Sequence, residues 1–294
     1  MPEFLGLPCV ELKNEALSLL VTQSVGPRIL SLRLNGGPNL FAEVPDFTLE
    51  CPGGGTFRVL GGHRFWLAPE DPARTYRPDD APVEIETLDR GLIATAPADR
   101  GLLKSIRIAM PDERARVVVD HTVTNCGKTA VTCAPWAITA LRTGGVAILP
   151  QSAATAGVLP NRCWALWPYT DIRSPFIAWG NEFTLITAGL ESGALKVGFP
   201  NRAGWLAYHA QGMLFVKFAF CEDDADYPDS GSSSECYANN RFLELETLGP
   251  LTELAPGRSL THHEVWQVFE APAFEPTEFA AGRMMAQFRL GRRT

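Results

Sequence analysis

Two stretches of the chain set acids, bases and aromatic rings close enough to act together. In Phe242-Leu243-Glu244-Leu245-Glu246-Thr247-Leu248, strand alternation puts Phe242, Glu244 and Glu246 on one face. Two such carboxylates lie roughly 7 Å apart by strand rise. Inside a partly enclosed cleft, repulsion and desolvation would raise at least one of their pKa values. A carboxylate so tuned serves as a general base near neutral pH. A solvated outer strand face gives the same pattern without chemistry. The second stretch, Gly61-Gly62-His63-Arg64-Phe65-Trp66-Leu67-Ala68-Pro69-Glu70, packs an imidazole, a guanidinium, an indole and a carboxylate together. As a strand it turns His63, Phe65 and Leu67 one way and Arg64, Trp66 and Ala68 the other. A cation beside an aromatic plate suits a small polyhydroxylated ligand, whose C–H faces lie on rings and whose hydroxyls meet charged groups. The plainer reading makes Trp66 core, with Arg64 and Glu70 as a surface pair.

Other residues carry weaker signals. Lys217 sits inside Leu214-Phe215-Val216-Lys217-Phe218, where a charge must reach water, a partner or a ligand. His209 ends the preceding strand and faces it across a hairpin. His121 shares an apolar face with Val117, Val119 and Val123 and reads as core. Cys163-Trp164-Ala165-Leu166-Trp167-Pro168-Tyr169-Thr170-Asp171 suits either sugar stacking or core filling. In His262-His263-Glu264-Val265-Trp266 the adjacent histidines point to opposite faces and would not jointly hold one ion. No His/Cys set has zinc spacing, no acidic run has the order of a calcium loop, and no phosphate or dinucleotide fingerprint occurs. The expectation is therefore no metal and no cofactor.

The elements that must hold these residues are strands. Residues 9–14 and 16–22 alternate around Asn14-Glu15, and further runs span 28–34, 116–125, 129–141, 204–208, 213–220, 241–248 and 259–269. The one helical candidate is Thr277 to Phe288. Cys221 to Asn240 reads as one long acidic polar loop. Many strands with Gly- and Pro-rich turns predict an all-β sandwich or barrel, taken as one domain over 1–294. A net charge of −7 argues against nucleic acid or an anionic membrane as the main partner. Without a secretory signal pattern at the start, the seven scattered cysteines read as reduced thiols of a cytoplasmic protein.

Taken in order, these segments resemble the galactose mutarotase-like (aldose 1-epimerase-like) superfamily, within an uncharacterised branch. Val25-Gly26-Pro27-Arg28-Ile29 is similar to the family's second strand, and Gly36-Gly37-Pro38-Asn39-Leu40-Phe41 follows. Gly61 to Trp66 takes the place of the family's His-Gly-containing segment. Thr122-Val123-Thr124-Asn125 resembles the common strand ending in Asn. Glu244 to Pro250 followed by Pro256-Gly257 resembles the segment that carries the catalytic Glu. The resemblance implies a β-supersandwich of mainly antiparallel strands. It also implies a Glu that takes the anomeric proton and a His that protonates the ring oxygen. At the acid position this chain has Trp136, whose N–H only donates a hydrogen bond. The acid would then come from His63 or His209, and the base is Glu246 or Glu244.

The resulting expectation is a saccharide-binding protein, possessing epimerase chemistry if His63, Glu244 and Glu246 converge. Arg64, Trp66, Glu70, Trp136, His209 and Lys217 would line the cleft. A non-catalytic saccharide-binding module is one alternative. A structural β domain that meets a partner through the acidic 221–240 segment is another. The sequence leaves the sugar and the oligomeric state open.

Overall fold

A computed structural model describes residues 2–111, 114–151 and 158–290. The chain builds two large antiparallel sheets. The first runs β1 (Glu3–Phe4), β2 (Leu7–Lys13), β3 (Leu17–Thr22), β4 (Arg28–Leu34), β6 (Thr56–Ala68), β11 (Val131–Leu141), β20 (Leu243–Leu248), β19 (Ser234–Asn239), β16 (Ala194–Phe199) and β13 (Ala165–Leu166). Here β5 (Glu43–Glu50) adds to β6, and β21 (Thr252–Leu254) adds to β11. The second runs β14 (Ile177–Ala178), β15 (Phe183–Thr187), β12 (Val146–Pro150), β17 (Trp205–Ala210), β18 (Met213–Ala219), β22 (Ser259–Glu270), β10 (Arg116–Asn125), β9 (Leu102–Ala109), β8 (Gly91–Thr95) and β7 (Glu84–Leu88).

The main core fills the space between the sheets. Leu19, Ile29 and Phe65 from the first sheet meet Val119, Phe215 and Trp266 from the second. The first sheet is also apolar on its other face, where Phe57, Trp66, Trp136, Ile138, Phe242 and Leu248 form a second cluster. Its central strand β11 is buried from Cys133 to Leu141, on both faces. That two-sided burial requires a nearly continuous apolar run rather than strict alternation.

Three details position the site. First, β6 is a single thirteen-residue strand that passes through Gly61 and Gly62 at φ +89° and +70°. A Cβ on Gly61 would stand 2.0 Å from the Ala42 carbonyl oxygen, and one on Gly62 2.4 Å from that of Ile29. Only glycine lets the neighbouring chain close on β6 here. Second, the register sets Arg64 beside Ile138 and Ile138 beside Glu246, with Glu235 next in the row. Third, the expected long loop from Cys221 to Asn240 is shorter. Its end, Ser234–Asn239, is the interior strand β19, with Cys236 and Ala238 in the core and Glu235 and Tyr237 on the other face. Serines and a glutamate hid this strand from a reading based on polarity.

The helix Glu278–Gln287 forms as expected. Thr277 caps it, accepting from the Ala280 amide at 3.3 Å, and Ala281, Met284 and Met285 pack beside Phe183 and Trp205. Among the described residues no helix is long and apolar enough to cross a membrane. All seven cysteines are free thiols.

Candidate functional site

Neighbouring strands of the first sheet present a row of charged side chains on its outer face. Arg64 on β6 donates from Nη1 to Glu244 Oε1 on β20 at 2.7 Å. Its guanidinium lies 4.4 Å from the Trp66 ring centroid. Lys196 on β16 lies 2.6 Å from Glu235 Oε2 and donates to Glu246 Oε2 at 3.0 Å. The same ammonium sits 4.7 Å from the ring centroids of both Trp136 and Trp167. Trp136 Nε1 donates to Glu246 Oε2 at 2.7 Å. Trp66 and Trp136 meet edge to face at 5.5 Å, and Tyr76 meets Trp66 at 5.4 Å. Glu70 lies at the exposed rim, where its carboxylate accepts from the Tyr76 hydroxyl. Tyr169 and Tyr237 add a second aromatic pair, with centroids 6.5 Å apart.

Two cations thus face three buried carboxylates, Glu235, Glu244 and Glu246. Burial pushes Glu235 well above the usual carboxylate range, with the Lys196 charge opposing and Glu246 adding. Burial raises Glu244 as well, against the pull of Arg64. For Lys196, burial lowers the pKa, but Glu246 and Glu235 outweigh it and hold the ammonium above its ordinary value. Burial thus disfavours the charged form of Glu235 and Glu244, while Lys196 and Arg64 favour it.

His63 does not join this row. Alternation turns it to the opposite face of β6, where it is 0% exposed between the sheets. Its Nε2 lies 2.7 Å from His121 Nε2 and its Nδ1 lies 2.9 Å from Thr139 Oγ1. The expected convergence of His63 with Glu244 and Glu246 is corrected by this geometry: acid and base would stand on opposite sides of one sheet. Lys217 is also between the sheets, 2.9 Å from Glu264 Oε1 and donating to the carbonyls of Ala137 at 2.8 Å and Leu245 at 3.1 Å. His209 is elsewhere again, against the Ala271 carbonyl at 3.4 Å and the Phe274 ring at 5.2 Å. Of the nine residues expected at the cleft, Arg64, Trp66, Trp136, Glu244 and Glu246 meet in one buried row on the outer face, and Glu70 stands exposed beside it.

Sequence reasoning missed Lys196 and Glu235. Lys196 lies in Ala194-Leu195-Lys196-Val197-Gly198-Phe199, a cation inside an apolar strand, the same signal that drew attention to Lys217. Glu235 falls within the stretch from Cys221 to Asn240 that reads as loop.

The inter-sheet cluster also brings His63, His121 and Glu264 together, with ligand atoms within 4.8 Å of one another. A two-histidine, one-carboxylate set could hold a metal. Here the Lys217 ammonium already supplies the cation, and Glu264 accepts from Thr247 Oγ1 and, at 2.8 Å, from Trp266 Nε1. One hydrogen-bond direction satisfies the set: Lys217 to Thr139 at 3.2 Å, Thr139 to His63, His63 to His121, and His121 Nδ1 to the His262 carbonyl at 3.3 Å. The cluster forms a continuous hydrogen-bonded network between the sheets.

No family model and no curated protein matches the sequence. Solved structures do match. A galactose mutarotase-like protein from Lactobacillus casei superposes with TM-score 0.58 at 12% identity, over 89% of this chain and all (100%) of that one. A candidate aldose 1-epimerase from Escherichia coli K12 gives TM-score 0.55 at 14% identity, over 90% and 100%. A TPR-domain containing protein from Parabacteroides distasonis gives 0.64 at 15% identity, over 91% of this chain and 48% of that one. At these identities the likeness shows the fold, a galactose mutarotase-like sandwich of antiparallel sheets.

Proposed function

We propose that this protein binds a saccharide on the outer face of its first sheet. The observation that carries this reading is the buried row of Arg64, Glu244, Glu246 and Lys196 packed against Trp66, Trp136 and Trp167. Fixed acceptors and donors suit hydroxyls, and the indoles suit C–H faces. The mutarotase and epimerase names of the structural neighbours support the same ligand class.

Binding fits this floor better than ring-opening by a histidine. Its donors are an arginine, an indole N–H and a lysine held firmly protonated, all poor proton sources at neutral pH. A second reading is favoured by one observation, the Lys196 ammonium bridging Glu235 and Glu246. In that reading Glu235 gives a proton while Glu246 takes one, and a sugar epimerises.

Calorimetric titration with a panel of neutral, acidic and phosphorylated aldoses tests the proposal, with polarimetry on every sugar that binds. Saturable binding that Glu246→Gln weakens at least tenfold is expected, without rotation change above buffer. Absence of binding across the panel removes the proposal. Catalysed rotation that Glu235→Gln abolishes would establish the second reading in its place.

A further inference from the structure

A cavity of about 560 Å³ opens beside the charged floor, at the ends of β6 and β11 and the start of β9. Its walls include Trp66, Leu67, Leu102 and Val131, and its charged lining is Arg74, Asp99, Arg100 and Lys104. Asp99 is already neutralised: Arg77 donates to it bidentately, from Nε at 2.6 Å and from Nη2 at 3.0 Å. Lys104 is half-buried and donates to the Phe65 carbonyl at 3.2 Å, which uses one of its protons. Among the described residues, no carboxylate stands within the 4.0 Å ion-pair distance of Arg74, Arg100 or Lys104. Three cations thus border the cavity, Arg74 and Arg100 exposed and Lys104 half-buried, none of them in a close ion pair with a described carboxylate.

We infer that this cavity binds a small organic anion, with its carboxylate or phosphate at Lys104 and Arg100 and its body along Trp66 and Leu67. The volume is that of a small-molecule site, far more than a bare inorganic ion fills. The apolar walls call for a carbon body, and the unpaired cations call for a charged head. Burial lowers the Lys104 pKa, with Asp79 and Asp99 only partly opposing, so the ammonium is short of compensation, as an incoming anion would remedy. The inference does not depend on what the charged floor binds, although Trp66 belongs to both places.

The test uses probes that are not sugars: benzoate as the carboxylate, phenyl phosphate as the phosphate, and neutral benzyl alcohol of the same body. Each is titrated into the full chain, with intrinsic tryptophan fluorescence and calorimetry as readouts. At least one anion should bind saturably, and at least about tenfold more tightly than benzyl alcohol, the weight of a charge-assisted hydrogen bond. Which anion binds tells carboxylate from phosphate recognition. Arg100→Gln, at an exposed turn, and Lys104→Met should each weaken that binding about tenfold, with far-UV circular dichroism confirming the fold. No saturable binding by either anion, equal binding of benzyl alcohol, or unchanged affinity in both variants overturns the inference. A failed saccharide titration does not.

Discussion

Lys196 is the residue on which the charged floor depends. It touches two carboxylates and two indoles, and it is 4% exposed. Removing one member of a buried ion set leaves the others uncompensated, at a typical cost of about 3–5 kcal/mol. We predict that Lys196→Met lowers urea-unfolding stability by that order, and that adding Glu235→Gln and Glu246→Gln restores much of it. A loss no larger than that of an exposed lysine would contradict the geometry. Glu246 matters for a different reason, since its Oε2 accepts from both Trp136 and Lys196. Its replacement by Gln should lower ligand affinity and, by leaving Lys196 with one carboxylate fewer, stability as well.

Among the elements, β6 decides what the site contains. One strand sends His63 into the core and Arg64 to the outer face, so its alternation separates two residues that the sequence places side by side. The faces were legible in the sequence; which face would meet Glu244 and Glu246 was not, because β6 and β20 are not neighbours and their relation passes through β11. The same limit hid β19. Its polar residues look like loop until the sheet supplies partners on both sides. By contrast, the hairpin β17–β18 and the helix Glu278–Gln287 rest on local signals, and both were readable from turn residues and caps. The glycine pair of β6 gives a test at this scale. Gly61→Ala should destabilise by about 2 kcal/mol or more, because it adds a Cβ against the Ala42 carbonyl at positive φ. Gly36→Ala, also at positive φ but with open space around it, should cost about 1 kcal/mol. Equal losses in thermal melts would contradict the packing.

For the molecule as a whole, the two sheets are joined by a polar network inside an apolar core. Burial holds His63 well below the usual imidazole range, with the neighbouring His121 adding, and burial also lowers His121 itself. His262 is lowered to about 3, again chiefly by burial and against the attraction of Glu264. Groups with depressed folded pKa values bind more protons when unfolded, so stability is lost as pH falls through the unfolded value of about 6.5. Glu235 and Glu244 act in the opposite sense, since their raised pKa values favour the folded state as pH falls towards the ordinary carboxylate range. The histidines and the two carboxylates therefore oppose one another between pH 7 and pH 5. Glu235→Gln removes one opposing group, so urea-unfolding stability should fall more steeply from pH 7 to pH 5 in that variant than in the parent. An identical pH dependence in the two proteins would mean that Glu235 is not held above the ordinary carboxylate range.

The central claim is that a saccharide meets the outer face of the first sheet and not the space between the sheets. Two indoles report the two places. Trp136 Nε1 donates to Glu246 on the floor, and Trp266 Nε1 donates to Glu264 between the sheets. In a proton–nitrogen NMR titration with the saccharide panel, with the two resonances assigned through Trp136→Phe and Trp266→Phe, the Trp136 indole N–H should shift saturably while that of Trp266 stays in place. No shift at Trp136 with any saccharide, or a shift at Trp266 alone, would contradict the account.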